Sequence, residues 1–392
     1  MRQAVIVSAT RTPIGSFQGG LSSLPATRLG SIAIERAVKK IGLSGQEVNE
    51  VIMGNVLSAG LGQAPARQAA LGASLPNSVG CTTINKVCGS GLKAVMLAHQ
   101  AVVAGDADVV LAGGMESMSN APYLLAKARA GYRLGHGELV DSMIRDGLWD
   151  VYHQFHMGEA AELCGEALNI SREEQDEFSA TSYRRALEAQ KRGDFAREIV
   201  PVPVPQDRGA EQLVEEDEEP TRLRLERLPA LNPAFKWKGT ITPGNASSIS
   251  DGAAAVVVML EHNAEALGIR PLARIVGYSS FATEPAMFTT APAQAIFALL
   301  KSCRCDPTDI DLFEINEAFA VASIAVNREL DLDPDKVNVR GGAVALGHPI
   351  GASGARILTT LIHSLEDLDL ATGVASLCIG GGEALAMMIE RI

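Results

Sequence analysis

Aromatic side chains are scarce in this chain, at 4% of 392 residues with only two Trp. A β-sandwich core leans on such bulk, whereas 38 Gly and many small aliphatic residues suit closely packed α/β layers. Positive charge is also short. Lys and Arg number 34 against 46 Asp and Glu, a formal net charge of −12. Phosphate backbones are held by clustered cations, so no nucleic-acid partner is expected. No run of about 18 apolar residues occurs, and no membrane span is expected. The six cysteines show neither a disulfide-framework spacing nor a Cys-x-x-Cys pair, which points to reduced thiols in the cytoplasm. His153 and His156 are spaced to share a helix face, but no third ligand follows and no metal is expected.

What is present is a regular alternation of strands and helices. Ala4–Ser8 reads as a buried first strand rather than a secretory leader, and Ile389–Ile392 carries no retention or lipidation signal. Leu29–Ile41 has helical apolar spacing and Glu50–Val56 returns to strand. Gly91–Ala104 places Leu92, Val95, Met96, His99 and Val103 on one helical face, with Gly105 as a stop. Asp108–Ala112 and Asp251–Val258 are apolar enough for strands covered on both faces.

The chain also echoes itself. Ala4–Val7 resembles Ala273–Val276, Gly54-Asn55 resembles Ile315-Asn316, Ser90–Lys93 resembles Ser353–Arg356, and Ala112–Glu116 resembles Gly380–Glu383. Four matches in one order at a nearly constant offset predict two related halves. Residues 1–118 with 251–270 form the first, 271–392 the second, and 119–250 an inserted loop or lid domain. Within the insertion, the Pro-rich run Pro201–Pro205 and the acidic run Glu215–Glu219 read as solvated loops.

Four residues stand where chemistry is feasible. Cys88 precedes Gly89-Ser90-Gly91 and a predicted helix, where free N–H groups and the helix dipole lower a thiol pKa from about 8.5. A buried structural cysteine is the alternative at that point. Cys378 ends an apolar run before Gly380-Gly381-Gly382, whose N–H groups can turn toward an oxyanion; an inert core cysteine is again the alternative. His348 sits in a Gly-rich loop ahead of a helix, a place suited to proton transfer. Asn316 ends another strand, where its amide either orients a water or caps the strand.

Asn85–Lys93, Gly113–Ser119, Gly244–Ser247, Asn316–Phe319, the loop around His348 and Cys378–Gly382 together resemble the thiolase family, in order and across the whole chain. The resemblance implies a five-layered α-β-α-β-α core with an inserted loop domain, and a homodimer or homotetramer. It implies acyl transfer between coenzyme A thioesters: thiolysis of a 3-ketoacyl-CoA, as in fatty-acid β-oxidation, or the reverse Claisen condensation. Acyl-CoA and CoA are then substrates, and no cofactor is required. Cys88 resembles the nucleophile, His348 its base, and Cys378 the acid and base at the substrate carbon. Asn316 resembles the holder of a water in one oxyanion hole, completed by His348; the N–H groups of Cys88 and Gly380 resemble the other. His156, Met157, Ser247, Ala318 and Phe319 resemble residues lining the pantetheine and acyl pocket. Arg222 stands nearest the arginine expected at the CoA nucleotide, and Phe288–Pro292 replaces a Met-Gly-any-Gly-Pro stretch. An inactive acyl-CoA or lipid-binding protein of the same fold is the alternative, against which the retention of Cys88, His348 and Cys378 argues.

Overall fold

β-Branched and small residues build one mixed ten-stranded sheet in the computed structural model, which describes residues 3–206 and 209–392. Met1 and Arg2 lie outside the described residues. Its strands are β1 (Ala4–Arg11), β2 (Glu50–Gly54), β3 (Gly80–Ile84), β4 (Val109–Ser117), β5 (Ser250–Leu260), β6 (Ala273–Ala282), β7 (Leu312–Ile315), β8 (Thr372–Ile379) and β9 (Glu383–Arg391), with Gly15-Ser16 added beside β5. The order is β7-β8-β9-β6-β1-β5-β4-β2-β3.

The centre of the sheet is a narrow seam. β1 and β6 pair through Val5↔Arg274 and Ile6↔Ala273 alone. Outward from it run β5, β4 and β2 on one side and β9, β8 and β7 on the other. Val337 bridges Phe313 in the place that β3 takes in the first half. The sequence echoes fall on equivalent elements: β1 and β6, the ends of β2 and β7, the ends of β4 and β8, and two helices described next.

Those helices are α3 (Ser90–Ala104) and α8 (Ile350–Asp367), packed together as the middle layer. α1 (Ala26–Lys40) and α2 (Pro65–Gly72) cover the outer face of the first half, and α6 (Ala291–Cys303) covers the second. Three apolar cores result. Leu29, Ile34 and Val257 lie in the first, Leu92, Ile357 and Leu377 in the middle one, and Ile296, Leu299 and Val374 in the third. Strand alternation feeds two of them at once: Val257 enters the outer core while Val256 and Val258 enter the middle one. The segment Val87–Ala104 has a mean hydropathy of 1.3 and the length of a membrane span, yet it leads into and forms α3 of the middle layer.

Two glycines set the site. A Cβ on Gly91 would lie 2.6 Å from Ala355 N, and one on Gly354 would lie 2.3 Å from Leu92 N. Only glycine permits that approach, so the starts of α3 and α8 touch. The loops carrying Cys88 and His348 are thereby brought to one place.

The insertion holds α4 (Met157–Leu168), α5 (Arg172–Arg192) and a hairpin of Val202–Pro205 with Glu211–Val214. The Pro-rich and acidic runs are not plain solvated loops. Val202 and Val204 are buried in the first core, because strand alternation turns them inward. Asp217 accepts two hydrogen bonds from the fully buried Arg11 guanidinium, at 2.7 and 2.8 Å, and Glu198 accepts a third at 2.6 Å. Glu218 accepts from the backbone N–H of Ser16 and Gly20. A buried guanidinium and strand-end N–H groups need acceptors, and this stretch supplies them. Glu215 and Glu216 stay exposed. His153 and His156 do not share a helix face: His153 lies in a turn against Asp150 and Glu284, and His156 caps α4.

Candidate active site

Cys88 follows a strained residue. Val87 has φ +47, a left-handed conformation that β-branched residues rarely take. Its N–H donates to Asn85 Oδ1, and Ser90 Oγ donates to its carbonyl at 2.7 Å, which holds the turn. Cys88 stands one residue ahead of Gly89, the N-cap of α3. The N–H groups of Gly380 and of Cys88 itself face the sulfur. Burial nevertheless pushes the thiol up to about 11, and Glu116 adds to the rise. The expectation of a lowered pKa is therefore corrected. Desolvation outweighs the helix start, and Cys88 is a neutral thiol at pH 7.

His348 reaches the same place from the other half. Its backbone N–H donates to Ser250 Oγ and to the Ser248 carbonyl. Its Nδ1 lies 2.5 Å from Ser353 Oγ, which spends its own proton on the Pro349 carbonyl at 2.9 Å. Nδ1 must then carry the hydrogen, and Nε2 is left with a free lone pair. Burial, with Arg356 nearby, lowers the imidazole pKa to about 3, so it is neutral. Asn316 Nδ2 stands 3.5 Å from Nε2, and Asn316 Oδ1 is buried with no partner.

A cavity of about 490 Å³ opens over these groups. Cys88, His348 and Gly380 line it, together with His156, Met157, Ser247, Ala318, Phe319 and Arg222. His156 Nδ1 accepts from Gly158 N–H, and its ring stacks on Phe235 with centroids 4.7 Å apart. Burial lowers its pKa as well. Ser247 donates its N–H and its hydroxyl to the Ala318 carbonyl. Arg222, with an exposed side chain, lies near Glu219 at 3.9 Å.

Two of the residues singled out from sequence do not line the cavity. Asn316 is buried and touches His348 through Nε2 instead. Cys378 is 2% exposed near Cys88; burial pushes its thiol strongly up, and the neighbouring Cys88 adds to this. Sequence reasoning missed Ser353 and Phe235. A serine in the first turn after a histidine loop is a readable signal for the former. Phe235 carried none. Phe288, noted only as part of a changed stretch, is a buried wall of the cavity.

Two family models match the chain: thiolase, N-terminal domain, over residues 4–262, and thiolase, C-terminal domain, over residues 269–391. The chain belongs to the thiolase family. This thiolase is 52% identical over 392 residues to a probable acetyl-CoA acyltransferase of Staphylococcus aureus (strain MRSA252), with 100% of each chain covered. The protein of the same description from strain COL is 51% identical over the same span. A crystal structure of the Bacillus anthracis acetyl-CoA acetyltransferase is 44% identical and matches with a TM-score of 0.98, over 100% of this chain and 99% of that one. Family membership makes this thiolase an acyltransferase.

Proposed function

We propose that this thiolase moves acyl groups between CoA thioesters through an acyl-Cys88 intermediate, cleaving 3-ketoacyl-CoA with CoA or running the reverse condensation. The observation that carries the reading is that Cys88, His348 and Gly380 line one cavity, where α3 and α8 touch. Cys88 and His348 wait as a neutral pair. The thiol proton passes to Nε2 as sulfur attacks the carbonyl, and the oxyanion forms against the N–H groups of Cys88 and Gly380. Transfer from one thiol to another keeps a thioester, so the acyl group stays activated. Cys378 gives a proton to the α-carbon as the C–C bond breaks and takes one back in condensation. Asn316, with its unpartnered Oδ1, holds the water that joins His348 Nε2 in the second oxyanion hole.

Residues 119–250 form the CoA-binding lid between halves 1–118 with 251–270 and 271–392. His156, Met157, Ser247, Ala318 and Phe319 line the pantetheine arm, and Arg222 serves its charged end. CoA is a substrate here; no further cofactor enters. Six free thiols fit the reduced cytoplasm. The outer edge of β3 offers its backbone to a second copy, which supports a homodimer or homotetramer.

The test is steady-state thiolysis of short, medium and long 3-ketoacyl-CoAs. Turnover is expected, with chain preference set at the Phe288 wall, and Cys88→Ser is expected to abolish it. Tight acyl-CoA binding without turnover in the wild type would point instead to an inactive binding protein.

A further inference from the structure

The Cys88 N–H belongs to the first half of the chain and the Gly380 N–H to the second. Both face the Cys88 sulfur, so two separate loops must keep one spacing if they are to receive one oxyanion. Neither loop is relaxed backbone. Val87 stands at φ +47 on one side, and Gly381 and Gly382 stand at φ +94 and +88 on the other. Turns of this kind persist only where their surroundings hold them.

Lys86 and Glu383 span the gap between the loops. Lys86 Nζ donates to Glu383 Oε2. Among the described residues this is the one side-chain hydrogen bond between residues 85–90 and 379–383. Each end of the pair is fixed. Lys86 N–H donates to Ser90 Oγ at 2.8 Å, and the Lys86 carbonyl accepts from Gly89 N–H at 3.0 Å, which seats the lysine on the first turn of α3. Glu383 opens β9 between two strands, opposite Ile379 of β8 and Ala282 of β6. The Gly382 carbonyl beside it accepts from Thr283 N–H at 2.7 Å. The loops also touch where Gly89 meets Ile379, since a Cβ on Gly89 would lie 2.4 Å from Ile379 Cδ1. Apolar contact has no direction, so it limits approach without fixing register; a hydrogen-bonded ion pair fixes it. The two side chains are 24% and 38% exposed, so water screens the pair and it adds little to overall stability.

We infer that Lys86 and Glu383 are positioning residues, whose ion pair clamps the two loops so that the N–H groups of Cys88 and Gly380 converge on one oxyanion. This rests on the acyl-transfer reading of the site. The test uses Lys86→Glu, Glu383→Lys and a reversed pair carrying both changes. Two rates are read on Cys88. Acetylation by acetyl-CoA passes through an oxyanion, whereas alkylation by iodoacetamide displaces iodide at a saturated carbon and makes none. Their ratio cancels any change in thiol acidity, which moves both rates. Each single variant is expected to lower the ratio about tenfold, short of the roughly 10²-fold lost with a whole oxyanion donor, at an unchanged Tm. The reversed pair is expected to bring the ratio back to within about threefold of the wild type.

A ratio unchanged in both single variants overturns the inference. A ratio that stays low in the reversed pair also overturns it, since each side chain would then act without the other. A wild type that takes no acetyl group would instead sink the acyl-transfer reading. In that case hydrogen exchange at residues 380–383 still reads the clamp: faster exchange in both single variants with recovery in the reversed pair supports it, and unchanged exchange contradicts it.

Discussion

Cys88 is a half-buried thiol and Cys378 a buried one; both have a raised pKa, and neither is a standing thiolate at neutral pH. What separates them is access. Cys88 lines the cavity beside the Gly380 N–H, whereas Cys378 lies behind it at 2% exposure. Cys378→Ala is expected to accept acetyl from acetyl-CoA while losing thiolysis and condensation by about 10²-fold or more, the scale of a removed general acid or base. Acyl-enzyme formation and turnover measured on the same sample decide this. Full turnover would leave Cys378 a structural cysteine, and lost acylation would mean that the two thiols act as one unit. The Gly-rich turns around Cys88, Cys378 and His348 were legible in the sequence because close backbone approach demands glycine. The protonation state of Cys88 was not. It depends on desolvation by residues far along the chain, which overrode the local helix start. The His348 tautomer was equally hidden, since it follows from Ser353 donating its proton to the Pro349 carbonyl, a contact made only in three dimensions.

At the level of elements, α3 was legible from its apolar face and glycine start, α8 only as a helix following the Gly-rich His348 loop, and the repeat related the starts of the two. The latch of the insertion was not. Arg11 and Asp217 are separated by 206 positions, and an acidic run by composition alone looks solvated. Yet Arg11 is 0% exposed and holds both Glu198 and Asp217. Asp217→Asn leaves that buried guanidinium short of a charge, and a broken buried pair costs about 3–5 kcal/mol. A urea melt of the variant is expected to show a lower midpoint, with early proteolytic cleavage near residues 201–222. A midpoint equal to that of the wild type would mean that Glu198 alone satisfies Arg11.

Across the whole molecule, building one site from both halves stores a burial cost that pH exposes. His348 takes its proton near pH 3 in the folded chain against 6.5 for a free imidazole. Between those values the unfolded chain binds more protons, so the stabilisation is complete above 6.5 and declines as pH falls toward 3. One such group contributes at most about 1.4 kcal/mol per pH unit. Urea midpoints at neutral pH and near pH 5 are expected to fall further for the wild type than for His348→Asn; equal losses would contradict the assigned burial. The central claim is an acyl group carried on Cys88, and intact-protein and peptide mass spectrometry after incubation with acetyl-CoA alone tests it most directly. One added acetyl group is expected on Cys88 in the wild type and none in Cys88→Ser. An unlabelled wild type, or a label placed chiefly on Cys378, would contradict it.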